Sequence, residues 1–177
     1  MKAIKLVIIP LLVLLSACST TYEADSDYNS AYNFKAVDSF YVVGDEQYKN
    51  PYLSDMNRDR INDSISAELS KLHLDVQNKT SADVLISYFV VTKEKIKVTS
   101  TPVTYSRYGT YGQSHINTRD YVEGTIIIDV VDNKSQKSIW RSSIQKSVKE
   151  LDTPEERSQE IAKVVKALFA GFPTQQI

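Results

Sequence analysis

The only cysteine of the chain, Cys18, stands directly behind a basic and then strongly apolar N-terminus, and this arrangement decides how much sequence has to fold and what can hold it. Lys2 and Lys5 form a positive n-region, and Leu6 to Leu15 form an apolar stretch of the length a secretory signal uses, too short for a membrane span. Residues 1–17 read as a signal peptide, which leaves one domain of about 160 residues including a tether. With no second cysteine, no intrachain disulfide can form, so burial of apolar side chains has to supply the stability. Removing the signal peptide takes away two lysines and no acid, moving the net charge from −1 to −3. Nucleic-acid binding by counterion release needs a basic excess, so nucleic acid is not an expected partner.

The four residues Leu15-Ser16-Ala17-Cys18 resemble the lipobox of bacterial lipoproteins. The resemblance implies a diacylglyceryl group on the Cys18 sulfur, cleavage before Cys18 and acylation of the new amino terminus. Two or three acyl chains hold a protein on a bilayer where one does not. An aspartate after the cysteine would resemble an inner-membrane retention signal, so Ser19 points to the outer membrane, with the domain facing the periplasm.

Residues 18–31 have no period and too few aliphatic side chains to bury, and read as a flexible tether that reaches on the order of 40 Å when extended. From Tyr32 to Val43 apolar and polar residues alternate, giving a strand bent near Asp38-Ser39 and closed by Gly44. Ser54 or Asp55 caps a helix whose Ile61, Ile65, Leu69 and Leu72 share one face, while Arg58, Asn62, Asp63, Ser66 and Ser70 mark a wet face. Leu74 and Val76 make a short extended piece. Residues 82–97 form a long strand with apolar side chains on both faces, as a central strand has. Residues 120–131 and 138–148 pair through the turn at Asp132 to Gln136. Residues 99–119, with Tyr105, Tyr108 and Tyr111, read as a long hairpin loop or a projecting β-ribbon. Thr153-Pro154-Glu155-Glu156 is a capping box with proline at the first helical position. Gly171 suits the left-handed position after the helix, and Phe172 folds back on the helix end. The order β-α-β-β-β-β-α predicts an α+β fold over residues 32–177: a single antiparallel β-sheet with two amphipathic helices packed on one face.

Tyr32-Asn33-Phe34, the segment Ser81-Ala82-Asp83-Val84-Leu85-Ile86-Ser87-Tyr88, the run Glu123-Gly124-Thr125-Ile126-Ile127-Ile128-Asp129-Val130-Val131-Asp132, Ile139-Trp140-Arg141 and the closing Phe172-Pro173 resemble the DUF4136 family of small bacterial envelope lipoproteins. The resemblance implies a compact α/β lipoprotein domain and brings no catalytic residues. Family members often carry a longer Gly/Tyr/Trp-rich hairpin than this chain, which has only Gly109 and Gly112 there.

Asp129, Asp132 and Asn133 could offer three oxygens to a hard cation, but strand-end Asp and Asn ordinarily build turns. His73 and His115 have no ligand partners at metal spacing, Glu123 is an acid without a mate, and Glu155-Glu156 suit a helix start. Serines lack a G-x-S-x-G elbow and the glycines form no phosphate loop. No catalytic residue, metal or cofactor is therefore nominated. Trp140 is expected as the largest core anchor, with Arg141 pairing a carboxylate on the opposite face. The remaining lead is a candidate binding surface at Tyr105, Tyr108, Tyr111 and Tyr121, because tyrosine offers a broad apolar ring with a hydroxyl. The expected function is non-enzymatic: a module held on the membrane through Cys18 that binds or docks an envelope protein or polymer. The alternative is a structural accessory subunit of an envelope transport or assembly complex.

Overall fold

The computed structural model describes residues 22–46, 49–51, 53–100, 116–148 and 151–173. Cys18, Tyr105, Tyr108, Tyr111 and His115 lie outside them. Strands β1 (Asp25–Tyr28), β2 (Ser39–Gly44), β3 (Asp75–Val76), β4 (Val84–Ser100), β5 (Ile116–Asp132) and β6 (Lys137–Ser147) form one sheet in the order β1-β6-β5-β4-β2-β3. Helices α1 (Asp55–Lys71) and α2 (Pro154–Phe169) complete an α+β fold.

The sheet is mixed, not wholly antiparallel. β4 pairs antiparallel with β5, and β5 with β6 across the short turn at residues 133–136, whereas β2 runs parallel to both β3 and β4. The reason is the helix between them: a strand that leaves through α1 and returns to the same sheet comes back parallel. Two further expectations change. The tether was expected to extend to residue 31, but Asp25–Tyr28 is already strand, pairing antiparallel with β6 from Asp25 opposite Ser143 to Tyr28 opposite Trp140. The strand expected from Tyr32 is instead a 3-10 turn at Phe34–Ala36 followed by β2, because Tyr32 and Phe34 turn into an aromatic cluster and not onto a strand neighbour.

Alternation places Phe40, Val84, Ile86, Tyr88, Ile128, Val130 and Trp140 on the face that both helices cover, joined there by Ile61, Ile65, Leu69, Val165 and Leu168. Trp140 is 1% exposed. It stacks on Phe169 at 5.4 Å and meets Phe172 edge-on at 5.2 Å, while Phe172 meets Phe34 at 5.9 Å. Phe172 thus does fold back, but Gly171 is not left-handed; the one glycine with positive φ among the described residues is Gly44. What Gly171 supplies is closeness, since a Cβ there would stand 2.8 Å from Ser26 Oγ on β1.

Both helices start as their caps dictate. Ser54 Oγ accepts from the Asn57 N–H (3.3 Å), Thr153 Oγ1 accepts from the Glu156 N–H (3.1 Å), and Glu156 accepts in return from the Thr153 N–H (3.3 Å). Arg58, expected on the wet face of α1, is drawn in. Its guanidinium donates to buried Asp45 (3.0 Å), to Asp55 (2.9 Å) and to the Asn50 carbonyl (2.6 Å), tying the loop after β2 to the helix start. At the other end of α1, the Leu74 N–H bonds the Leu69 carbonyl and the His73 N–H bonds the Ser70 carbonyl, a Schellman closure with His73 at φ +62. Glycine ordinarily holds that left-handed position without Cβ strain. The substitution His73→Gly should therefore raise unfolding free energy by about 1 kcal/mol, read as a higher urea midpoint at unchanged slope. In the core, Ser142 is 0% exposed and its Oγ has no hydrogen-bond partner among the described residues. Ser142→Ala should leave stability unchanged or higher, whereas Trp140→Ala should cost about 3–5 kcal/mol.

Candidate functional site

Strands β4 and β5 each have 17 residues, about 55 Å of extended chain, and pair without interruption from Val84 opposite Asp132 to Ser100 opposite Ile116. Their neighbours stop early: β2 pairs β4 only as far as Ser87, and β6 pairs β5 only as far as Glu123. Beyond those points the hairpin continues as a two-stranded ribbon, with Asn50 Nδ2 donating to the Val90 carbonyl (2.7 Å) near its base. Gly124 lies where β5 leaves the sheet, and a Cβ there would meet Val148 Cγ2 at 3.0 Å.

Period-two alternation gives the ribbon two unlike faces. Continuing the helix-covered face are Ile96 and Val98, 68% and 62% exposed, together with Val122, Glu94 and Asp120. Continuing the other face are Lys93, Lys95, Lys97 and Arg119, with Tyr121 opposite Lys95. Glu123 is not an acid without a mate. It accepts from Lys95 and from Gln145, bonds that hold its pKa below the usual carboxylate range and raise that of Lys95. Of the four tyrosines proposed as a binding surface, Tyr121 is thus half-buried on the cationic face. The other three fall in sequence between the two ribbon strands and outside the described residues. The exposed Ile96 and Val98 escaped the sequence reading because they alternate with lysines as any half-buried strand does; among the described residues no strand or helix covers them.

The face away from the helices carries Tyr41, Phe89, Ile127 and Val131, all half-buried. Asp129 is buried among them and accepts from Arg141 Nε (2.7 Å) and Nη2 (2.6 Å) and from Ser138 (3.1 Å). Asp132 points to the opposite side of the sheet, accepting from the Tyr32 hydroxyl (2.8 Å) and the Ser135 N–H (2.7 Å), while Asn133 donates to the Lys79 and Ala82 carbonyls. These three side chains therefore do not converge on one ion, and among the described residues no group of three His, Cys, Asp or Glu could hold a metal.

A second feature lies at the base of the ribbon, between the sheet and the two helices. An apolar groove of about 230 Å³ is walled by Leu53, Ile61, Val90, Ile126, Val148 and Ile161. At its rim the Tyr22 hydroxyl and Lys146 Nζ both donate to Glu160, and Lys146 Nζ also lies 2.9 Å from the Tyr22 oxygen and 4.5 Å from its ring centre. Burial works against the charge on Lys146, but the bonds to Glu160 and Tyr22 outweigh it and hold its pKa above the usual value.

The family model for the domain of unknown function DUF4136 matches residues 24–174. The chain belongs to the DUF4136 family. A DUF4136 protein from Bacteroides thetaiotaomicron is similar at 13% identity over 85% of this chain and 93% of its own, with a TM-score of 0.46. A PDZ domain protein from Parabacteroides distasonis is similar at 14% identity and a TM-score of 0.54 over 88% of this chain; the DUF4136 chain spans 36% of that protein's length. PelC from Paraburkholderia phytofirmans, solved as a dodecamer, is similar at 12% identity over 82% of this chain and 97% of its own, with a TM-score of 0.41. No curated protein matches the chain. Among the described residues no helix is long and apolar enough to cross a membrane.

Burial and the bond to Asp132 push the Tyr32 hydroxyl up from 10.0 to about 12. A phenol that ionises later in the folded chain than in the unfolded one adds its stability in full below the unfolded value and loses it as pH rises through the folded one. Stability should therefore fall between pH 10 and about 12, and Tyr32→Phe should flatten that decline in urea melts recorded across the window.

Proposed function

We propose that this DUF4136 chain is a non-enzymatic docking module of the bacterial envelope. It is held through lipid on Cys18, on the periplasmic side of the outer membrane, and it engages an envelope protein or polymer with the β4–β5 ribbon. The observation that carries this reading is the ribbon itself. An isolated two-stranded hairpin is marginal in water, and a third strand or a packing surface ordinarily completes it. Here the ribbon extends past both neighbours with Ile96 and Val98 more than half exposed on one side and a row of cations on the other. Apolar side chains in that position are what a partner would cover, and the lysines and Arg119 suit an acidic rim. The buried and half-buried carboxylates Asp45, Asp129 and Glu160 are each engaged by a cation, Arg58, Arg141 and Lys146 in turn, which supports a binding role over a catalytic one.

The marginal stability of the bare ribbon also favours the second reading, an accessory subunit bound for long periods to another chain. The Cys18→Ala form distinguishes the two: a free-standing module is expected to purify as a folded monomer, an obligate subunit to be unstable without its complex.

Two results test the main reading. Cys18→Ala should abolish acyl labelling and release the chain from the membrane fraction. Ile96→Asp with Val98→Asp should remove the neighbours captured by crosslinking in intact cells while leaving the thermal midpoint of the domain unchanged, since neither side chain is in the core. An unlabelled wild-type chain would end the membrane assignment, and unchanged crosslinks would end the ribbon assignment.

A further inference from the structure

We propose that the groove between the helices and the sheet receives an acyl chain of the chain's own lipid when no bilayer is present to take it. This rests on the reading of Cys18 as lipidated. Four observations meet at one place. The groove is about 230 Å³ and almost entirely apolar, so it suits a ligand that asks for no hydrogen bonds. The N-terminal side of the domain is pinned to its rim, because Tyr22 bonds Glu160 and Lys146, which both line the groove. β1 runs antiparallel to β6 with Asp25 opposite Ser143; stepping back along that register brings Tyr22 level with Lys146, two residues from the groove wall at Val148. Finally, Cys18 is four residues before Tyr22, and four residues reach about 14 Å at most. That is the whole length of chain available between the rim and the residue read as lipidated.

Tethering decides the occupant. A chain attached this close has an effective concentration on the order of millimolar at the groove, so a free apolar ligand or a partner's side chain competes at a disadvantage. The groove is open and takes only part of a fatty chain, whereas a bilayer takes all of it, and each buried methylene adds to the preference. Membrane insertion thus wins wherever a membrane is at hand, and the groove serves as a holding site during transfer through water.

The test uses the full lipidated chain, produced in cells fed a palmitate analogue carrying a diazirine, and freed of detergent before irradiation. The expected photoadducts fall on peptides containing Val148 or Ile161 and Val164. They should be lost in Ile161→Trp, which fills the groove, and should move to lipid when vesicles of phosphatidylethanolamine and phosphatidylglycerol are added. If Ile161→Trp melts early, Val148→Trp on the opposite, exposed wall replaces it. Adducts scattered over the surface, adducts on a second copy, or adducts unchanged by the filled groove would overturn the proposal. Intact mass separates the two readings: a chain bearing lipid on Cys18 without groove adducts defeats the holding site alone, while an unmodified Cys18 defeats the lipid reading and the holding site together.

Discussion

The fold depends on the stacking of Trp140 against the end of the last helix. Its ring takes Phe169 face-on and Phe172 edge-on, and Phe172 passes the contact to Phe34 near the start of the domain. Sheet, C-terminal helix and N-terminal segment meet in that one cluster, in a chain with no second cysteine to join them. Aromatic pairs of this kind add roughly 0.5–1.5 kcal/mol each beyond the area they bury. The close approach of Gly171 to Ser26 follows from the same packing, because the helix must end tightly against β1 for Phe172 to reach Trp140.

Much of this was legible in the sequence where local chemistry decides the outcome. The capping box at Thr153, the apolar stripe of α1 and the antiparallel hairpin of β5 and β6 each depend on residues within a few positions of one another. Pairing between distant segments was less legible. Asp25–Tyr28 carries no apolar alternation and gains its place through backbone bonds to β6 and the ring contact of Tyr28 with Phe34 at 6.0 Å. Arg58 looked like a surface cation because only the fold brings Asp45 and Asn50 to it. The groove was invisible for the same reason: its walls come from the loop before α1, both helices and three strands.

The sheet's alternation has a consequence for the candidate site. Residues that point toward the helices in the body of the domain point toward water in the ribbon, with no change of register between Val84 and Ser100. The apolar face of the core therefore runs on past its cover, by way of Val148 and Val122, to Ile96 and Val98. The groove lies at the junction, where helix cover ends and bare ribbon begins.

The antiparallel seating of β1 on β6 also sets how the domain bears load. A pull on its N-terminal side directed along the strand axis would load the backbone bonds of β1 together, in shear, and not one after another. Tyr22, gripped by Lys146 and Glu160, meets that force first.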